Sequence, residues 1–368
     1  MPDNIKETTN SGGHLQQLDG LRGLAILLVA AGHIFYKFYI FKFGWIGLNL
    51  FFLLSGYLIT NRLYVHKSTN SSTYFRNFYA RRFLRIFPLY YGCLSVFFIA
   101  LPLIYIKYQH YFGTLYNIQI WYWLYFSNWR IILYGLPPNP LFFHFWSLAV
   151  EEQFYLIWPF IFYFVTSSSK RLFTIYLLLA ISIISRIMSY GSEAVYYSTL
   201  TAVEPLMLGC LISILEKDKL LQSVYRYFRI FAVLSLGSLV IIFCYNRDLH
   251  ISNHQLLLVG YLNIDLIWAF VLCTALCGMS EKNFVIKMFT SGVLIWLGIY
   301  SYGIYVFHWI ILQLFIYKYE IWMTQHRFSE IFAYWLTRIL GTISILLISY
   351  LSYNLYERKF LSLKKYFK

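Results

Sequence analysis

Charged side chains are scarce in this sequence. Only 12% of its 368 residues are Asp, Glu, Lys or Arg, whereas 60% are hydrophobic. A soluble domain of this size carries about twice that charged fraction, so a soluble globular fold is excluded. The 30 basic residues outnumber the 15 acidic ones, but they lie in short segments between apolar runs. Cations in that position orient membrane helices, so no nucleic acid partner is expected.

Patterns that indicate several reaction chemistries are missing as well. The five cysteines form no C-x-x-C pair and lie in apolar runs, which predicts small buried side chains. No H-E-x-x-H or dense His/Cys set occurs, so no metal is expected, and the lack of a G-x-S-x-G elbow argues against a serine esterase. The first apolar run follows a polar head and has no small-residue cleavage site, so no cleavable signal peptide is expected.

Long apolar runs are what the sequence has instead. Runs able to cross about 30 Å of hydrocarbon predict an all-α, polytopic membrane protein of about ten transmembrane helices in one domain, residues 1–368. Residues 1–17 form a cytoplasmic head and 355–368 a basic cytoplasmic tail. The predicted spans are 18–36, 44–64, 86–106, 146–166, 172–190, 199–215, 230–245, 256–277, 291–316 and 331–354.

The distribution of basic residues predicts the orientation of these spans. Lys and Arg concentrate in alternate loops, beginning with 65–85, and in the C-terminal tail. Because cytoplasmic loops carry that excess, both termini are predicted to be cytoplasmic. Residues 107–145 then form a long outer loop. Its aromatic segment 115–129 is interpreted as lying on or dipping into the membrane rather than as an eleventh span.

Ionisable residues inside the spans are the main functional signal, since they are costly in a bilayer and commonly mark functional sites. In the stretch LDGLRGLAILLVAAGH, Arg22 and His33 are eleven residues apart. That spacing places them on one helix face, roughly 16 Å apart along the axis, with Asp19 one turn before Arg22. The predicted orientation brings His33, Glu151 and His308 to one outer level.

Structural interpretations compete with functional ones at several of these positions. Arg82 and Arg85 are also typical of cytoplasmic anchors, His308 of a hydrogen-bonded packing residue, and Trp146 of an aromatic belt. Gly56, with Ser55, fits a small-residue contact between helices. Composition and spacing leave these alternatives open.

Five ordered motifs resemble the acyltransferase-3 family of integral-membrane acyltransferases over nearly the whole chain. They are LDGLRGLAILLVAAGH, GLNLFFLLSGYLI, RRFLRIFPLYY, FWSLAVEEQFYLIWP and LGIYSYGIYVFH. The resemblance implies ten core helices and transfer of an acyl group, often acetyl, from coenzyme A to a hydroxyl of a surface or exported carbohydrate. It also implies a multi-pass protein of the bacterial cytoplasmic (inner) membrane.

Physical layout and resemblance together suggest roles for individual residues. Arg82, Arg85 and Arg22 are expected to bind the phosphates or arm of the acyl-CoA, because guanidinium groups suit phosphate. His33 is the expected base, since imidazole titrates near working pH. Glu151 is expected to orient that imidazole and Ser147 to stabilise the oxyanion. The substrate-binding candidates are Asp19, Trp146, Tyr302 and His308.

The expected partners are acyl-CoA, membrane lipid and a carbohydrate acceptor, free or lipid-linked, such as lipopolysaccharide O-antigen or exopolysaccharide. Two alternatives remain. A transporter or flippase for a lipid-linked sugar would also use buried charges, although no inverted repeat is evident. An enzyme of the same family with a small-molecule acceptor, such as a macrolide, fits the sequence equally.

Overall fold

The computed structural model describes residues 15–66, 70–104, 108–247, 253–277 and 284–367. Every regular element in these ranges is helical. Ten long helices, α1 to α10, form the framework, with shorter helices and π turns between them. They are Gln16–Ile34, Ile46–His66, Ser71–Ser95, Phe145–Phe164, Ser168–Met188, Thr199–Lys217, Leu221–Asn246, Tyr261–Leu276, Gly292–Ile311 and Glu330–Ser352.

The polytopic helical fold predicted from the apolar runs is confirmed. Across the described ranges, nine helical segments are long and apolar enough to cross a membrane. The predicted span 146–166 coincides with α4, a helix of 20 residues that is not among the nine. Its hydropathy is lowered by three consecutive polar residues, Glu151, Glu152 and Gln153.

The third helix begins much earlier than predicted. α3 starts at Ser71 rather than at residue 86, and the helical path continues through a π turn at Val96–Ala100 to Ile104. Hydropathy failed here because the first half of α3 is rich in cations. Arg82 and Arg85 therefore lie inside a long helix.

The aromatic segment 115–129 does not form one spanning helix. The region around it contains three short helices, Tyr108–Tyr116, Gln119–Trp123 and Ser127–Tyr134, of nine, five and eight residues. Each is too short to cross a bilayer, for which about 20 residues are needed. This agrees with the predicted loop between the third and fourth long helices.

Small residues bring two pairs of helices into close contact. α1 packs along α9, where a Cβ on Gly298 would lie 1.9 Å from the carbonyl oxygen of Asp19. α2 packs along α6, where a Cβ on Gly56 would lie 1.9 Å from the carbonyl oxygen of Leu206. Glycine permits this approach because it has no side chain, so the small-residue interpretation of Gly56 is confirmed. The close packing places α1, α2 and α9 around a common interior.

Candidate active site

A cavity of about 90 Å³ lies between α1, α2, α3, α4 and α9. We call it the inner cavity, because the charge bias of the loops predicts that its basic end faces the cytoplasm. Its polar lining comes from four arginine or acidic side chains and from hydroxyl groups. These are Arg22, Arg82, Arg85, Glu151, Ser55, Ser147, Tyr155, Ser301, Tyr302 and Tyr305.

Arg22, Arg82 and Arg85 form an arginine cluster on the wall of this cavity. The ion pairs found among the described residues involve Lys37, Arg186 and Arg338, so none joins a member of the cluster to a carboxylate within 4 Å. Arg22 and Arg85 repel each other electrostatically, whereas Glu151 attracts both Arg22 and Arg82. Three cations and one carboxylate line this cavity, and the excess of positive charge provides a site for an anion.

The C-terminal segment adds further positive charge beside the arginine cluster. The side chain of Lys364 has Arg85, Arg82 and Arg81 as electrostatic neighbours. Arg81 donates a hydrogen bond to the carbonyl oxygen of Phe367 at 2.5 Å, which fixes the segment against α3. The sequence analysis did not identify Lys364, because nothing local in the sequence shows that the tail returns to a helix almost 300 residues away.

Glu151 lies in the inner cavity and contacts hydroxyl groups. It accepts hydrogen bonds from Ser55 Oγ at 2.8 Å and from the Tyr155 hydroxyl at 3.1 Å. His33 lines a different cavity, so the expected contact in which Glu151 orients the His33 imidazole is corrected by the structure. The charges of the loops predict only the depth of the two residues in the membrane. Which side chains meet depends on the rotation of α1 and α4 about their axes, and loop charges do not predict that rotation.

A second cavity, the outer cavity, has a volume of about 240 Å³ and is lined by His33. Its other polar and aromatic lining includes Lys42, Trp45, His144, Trp146, Tyr196 and Tyr197. Leu48 and Tyr305 line both the inner and the outer cavity. These two side chains therefore form the constriction between the arginine cluster and His33.

His308 fixes the orientation of His33. The Nδ1 atom of His33 lies 3.0 Å from Nε2 of His308, and Nδ1 of His308 lies 2.7 Å from the carbonyl oxygen of Tyr305. A carbonyl only accepts, so His308 carries its proton on Nδ1, and its Nε2 accepts from His33 Nδ1. This tautomer leaves the Nε2 lone pair of His33 free to act as a base.

The constriction contains a compact set of hydroxyl contacts. Ser147 Oγ and the Tyr305 hydroxyl lie 2.5 Å apart, and the Tyr305 hydroxyl donates to the carbonyl oxygen of His144 at 2.7 Å. Ser147 is thus close to the boundary of the two cavities. Its role as an oxyanion donor remains a prediction.

The four predicted substrate-binding residues do not form a single site. Tyr302 lines the inner cavity and donates to the carbonyl oxygen of Ile86 at 2.7 Å. Trp146 lines the outer cavity, and His308 is fully buried behind His33. Asp19 lines neither cavity, and its backbone instead packs against α9 at the glycine contact described above.

Two further side chains belong to the site although the sequence analysis gave them no role. Tyr305 at the constriction precedes His308 by three residues, so helical periodicity places it on the same face as His308. His144 lines the outer cavity and donates from Nε2 to the carbonyl oxygen of Val306 at 3.1 Å. Its Nδ1 is buried and has no partner among the described residues.

Comparison with known proteins defines the family. The model of the family Acyl_transf_3, described as an acyltransferase domain, matches residues 15–354. The chain belongs to this acyltransferase-3 family. The match extends from the start of α1 to just beyond α10, and so includes both cavities.

Relatives of this acyltransferase-3 chain include proteins named for O-acetyl transfer. Peptidoglycan O-acetyltransferase OatA of Listeria monocytogenes is 31% identical over 332 residues, which cover 84% of this chain and 51% of that protein. Putative peptidoglycan O-acetyltransferase YrhL of Bacillus subtilis is 30% identical over 321 residues, covering 82% and 49%. The chain spans about half the length of the curated relatives it matches. No solved structure matches it.

Proposed function

We propose that this acyltransferase-3 protein is a membrane O-acetyltransferase that uses cytoplasmic acetyl-CoA. Its acceptor would be a hydroxyl of a cell-envelope carbohydrate, and peptidoglycan is the first acceptor to test because two relatives are named for it. The observation that carries the proposal is the arrangement of two cavities. One contains the arginine cluster, the other contains His33, and they meet at Leu48 and Tyr305.

The inner cavity suits the anionic part of coenzyme A. Leaving cations unpaired inside a protein is unfavourable, so the arginine cluster is expected to bind a ligand that carries several negative charges. Guanidinium groups bind phosphate with two parallel hydrogen bonds. The acyl thioester lies at the far end of the pantetheine arm, which extends on the order of the roughly 16 Å between Arg22 and His33 along α1.

The outer cavity supplies the base for transfer. His33 Nε2 takes the proton from the acceptor hydroxyl as the hydroxyl oxygen attacks the thioester carbonyl carbon. A C–O bond forms, the C–S bond breaks, and the leaving thiolate takes up the proton held by His33. His308 keeps His33 in the required tautomer throughout, and the hydroxyl of Ser147 would donate to the oxyanion.

Transfer of radiolabelled acetyl groups tests this proposal directly. The full chain in proteoliposomes receives labelled acetyl-CoA and soluble glycan strands released from peptidoglycan. We compare the wild type with His33→Ala and with the control His326→Ala, since His326 is exposed and lies outside both cavities. We expect label on the glycan with the wild type and the control, and loss of at least 100-fold with His33→Ala.

Each other outcome contradicts a defined part of the proposal. Labelling that His33→Ala leaves unchanged would refute His33 as the base. No labelling by the wild type would refute the pairing of acetyl-CoA with this acceptor. Equal losses in His33→Ala and His326→Ala would show that the loss does not come from the site.

A further inference from the structure

The inner cavity can hold only part of a coenzyme A molecule. Its volume of about 90 Å³ has room for several water molecules but not for a nucleotide. The nucleotide end of coenzyme A carries its diphosphate and its 3′-phosphate, so much of the negative charge must lie outside the cavity. Cations that surround the arginine cluster on the outside are therefore candidates for binding the donor.

The C-terminal segment, residues 353–367, lies beside the arginine cluster. After α10 the chain continues through a π turn and two short helices. Two hydrogen bonds hold this segment against α3: the Tyr356 hydroxyl donates to the carbonyl oxygen of Pro88 at 3.1 Å, and Arg81 donates to the carbonyl oxygen of Phe367 at 2.5 Å. Most of the segment lies beyond residue 354, where the family match ends. Its position is thus fixed by contacts of this chain outside the matched domain.

Lys364 lies between these two contacts, and its ammonium group is unpaired. The side chain is partly buried. It has no ion-pair or hydrogen-bond partner among the described residues. Its four strongest electrostatic neighbours are all arginines, namely Arg85, Arg82, Arg81 and Arg22. Like charges that are held together away from bulk water repel one another, and a bound anion relieves that repulsion.

Carboxylates also lie in this region, but they compensate the arginines rather than Lys364. Glu151 attracts Arg22 and Arg82, and Glu357 attracts Arg85. No carboxylate is among the strongest neighbours of Lys364. Lys364 is therefore the cation whose charge depends most on an external anion.

The cations remain accessible to a ligand. Three arginines of the cavity wall, together with Arg81 and Lys364, each keep part of their surface exposed. They come from α1, α3 and the C-terminal segment, so three separate elements contribute positive charge to one region at the predicted cytoplasmic end. A phosphate bound there could contact Lys364 while the rest of the molecule extends into the inner cavity.

A phospholipid headgroup could supply a phosphate as well, but the position of Lys364 favours the donor. Lys364 is partly buried beside arginines that line the inner cavity, whereas the next residue, Lys365, is exposed. A lipid headgroup at the membrane surface would reach the exposed lysine more readily. A ligand that enters the inner cavity instead passes Lys364.

We propose that Lys364 binds a phosphate at the nucleotide end of acetyl-CoA and that the C-terminal segment forms part of the donor site outside the inner cavity. An ammonium group serves as a point charge for phosphate. The inference rests on the proposed function. It adds that Lys364 determines donor specificity, since a thioester that ends at pantetheine lacks every phosphate and gains nothing from this lysine.

Two donors and three variants test this role. Lys364→Gln removes the charge, and Lys364→Arg keeps it. The matched control is Lys365→Gln, because Lys365 is the exposed neighbour in the same short helix. The donors are acetyl-CoA and S-acetylpantetheine, which carries the same thioester without the nucleotide. We measure kcat/KM for transfer to glycan strands by the full chain in nanodiscs of phosphatidylcholine.

We expect Lys364→Gln to lower kcat/KM for acetyl-CoA about tenfold through a higher KM. The same variant should leave kcat/KM for S-acetylpantetheine unchanged, and a merely structural role would lower both. Lys364→Arg should recover most of the loss, and Lys365→Gln should behave as the wild type with both donors. Titration calorimetry with coenzyme A should show about tenfold weaker binding by Lys364→Gln.

Four results would overturn the inference. An equal fall with both donors would assign Lys364 a structural role, and an unchanged kcat/KM for acetyl-CoA would assign it none in donor binding. An equal fall in Lys365→Gln would indicate a general effect of positive charge. A fall that appears only after phosphatidylglycerol is added to the nanodiscs would identify the phosphate as that of a lipid.

Failure of this inference and failure of the proposed function are distinguishable. If the wild type transfers acetyl groups from acetyl-CoA and Lys364→Gln does so equally well, only the role of Lys364 is refuted. If the wild type transfers none, the proposed function is refuted. Calorimetry with coenzyme A needs no turnover, so equal affinities of the wild type and Lys364→Gln would refute the role of Lys364 in that case too.

Discussion

The carbonyl oxygen of Tyr305 determines the protonation of two histidine rings. It accepts from His308 Nδ1, so His308 Nε2 must accept from His33, and the lone pair of His33 then faces the outer cavity. The His308 ring occupies the position beside His33 that the Glu151 carboxylate was expected to occupy. Because His308 is completely buried, its substitution tests this contact without altering the accessible surface.

Replacement of His308 by leucine removes the acceptor for His33 Nδ1, so the proton of His33 is no longer held on Nδ1. We expect kcat to fall by about 10²- to 10⁴-fold with little change in the KM for acetyl-CoA. His308→Gln keeps an oxygen acceptor near the same place and should recover at least part of the loss. Steady-state kinetics of the two variants checks this. Equal losses in both would mean that His308 acts by packing, which is the structural interpretation of this residue.

Substitution of the arginines of α3 distinguishes direct binding of acetyl-CoA from a general effect of positive charge. Loss of one charged hydrogen bond weakens binding by about 1.5–3 kcal/mol, so Arg82→Gln and Arg85→Gln should each raise the KM for acetyl-CoA at least tenfold. Arg76 lies on the same helix, is exposed and lines neither main cavity, so Arg76→Gln is the matched control. If it raised the KM as much, the arginines would act as general positive charge at the membrane surface.

Residue positions could be predicted from the sequence only along a helix, not between helices. Arg22 and His33 do share one continuous helix, α1, as their spacing predicted. The partner of His33 was predicted wrongly, since Glu151 and His308 were both assigned to its depth and rotation about the helix axes decides which one touches it. The buried contact between Asn49 and Asp265 could not be predicted for the same reason, since both are isolated polar residues in separate spans.

The presence and the order of the long helices could be predicted from the sequence, but the residues at which the helices begin and end could not. Hydropathy identifies a membrane span by its lipid-facing residues. It therefore did not identify the first half of α3 as helix, because cations of that segment face a cavity. It also gave no sign that α10 continues through a π turn at Tyr353–Glu357 to the short helices that carry Lys364. Polar residues of the site lower the hydropathy of the helical segment that carries them. The helix predicted from hydropathy is therefore shorter than the observed helix at that end.

The contact between α1 and α9 sets the position of His33 relative to His308, and Gly298 controls it. Gly298→Ala would place a methyl group 1.9 Å from the carbonyl oxygen of Asp19, an atom of a rigid helix backbone. We expect a loss of about 1–3 kcal/mol in the free energy of unfolding and a lower thermal midpoint in detergent. Gly237→Ala is the control, because nothing lies within 4 Å of its added Cβ in α7.

Gly237→Ala should leave the midpoint unchanged or raise it, since alanine favours a helix by about 1 kcal/mol over glycine. A midpoint for Gly298→Ala equal to that of the wild type would show that α1 and α9 can separate at little cost. The geometry of the histidine pair would then not depend on this contact, and activity should also be retained.

Across the whole molecule, the inner and outer cavities place the arginine cluster and His33 towards opposite predicted sides of the membrane. The inner cavity has three arginines without ion-pair partners among the described residues, whereas the outer cavity has His33, aromatic rings and the cation Lys42. The proposed function requires the orientation that the loop charges predict, because an inverted protein would present the arginine cluster to the side opposite the cytoplasmic acetyl-CoA.

Cysteine labelling of intact cells decides the orientation. In a Cys244→Ser background, which removes the exposed native cysteine, Leu136→Cys reports the loop before α4 and Lys219→Cys the loop between α6 and α7. Both positions are exposed. A membrane-impermeant maleimide should label Leu136→Cys in intact cells and Lys219→Cys only after permeabilisation. The reverse pattern would place His33 on the cytoplasmic side, and transfer from cytoplasmic acetyl-CoA to an external glycan would then lose its structural basis.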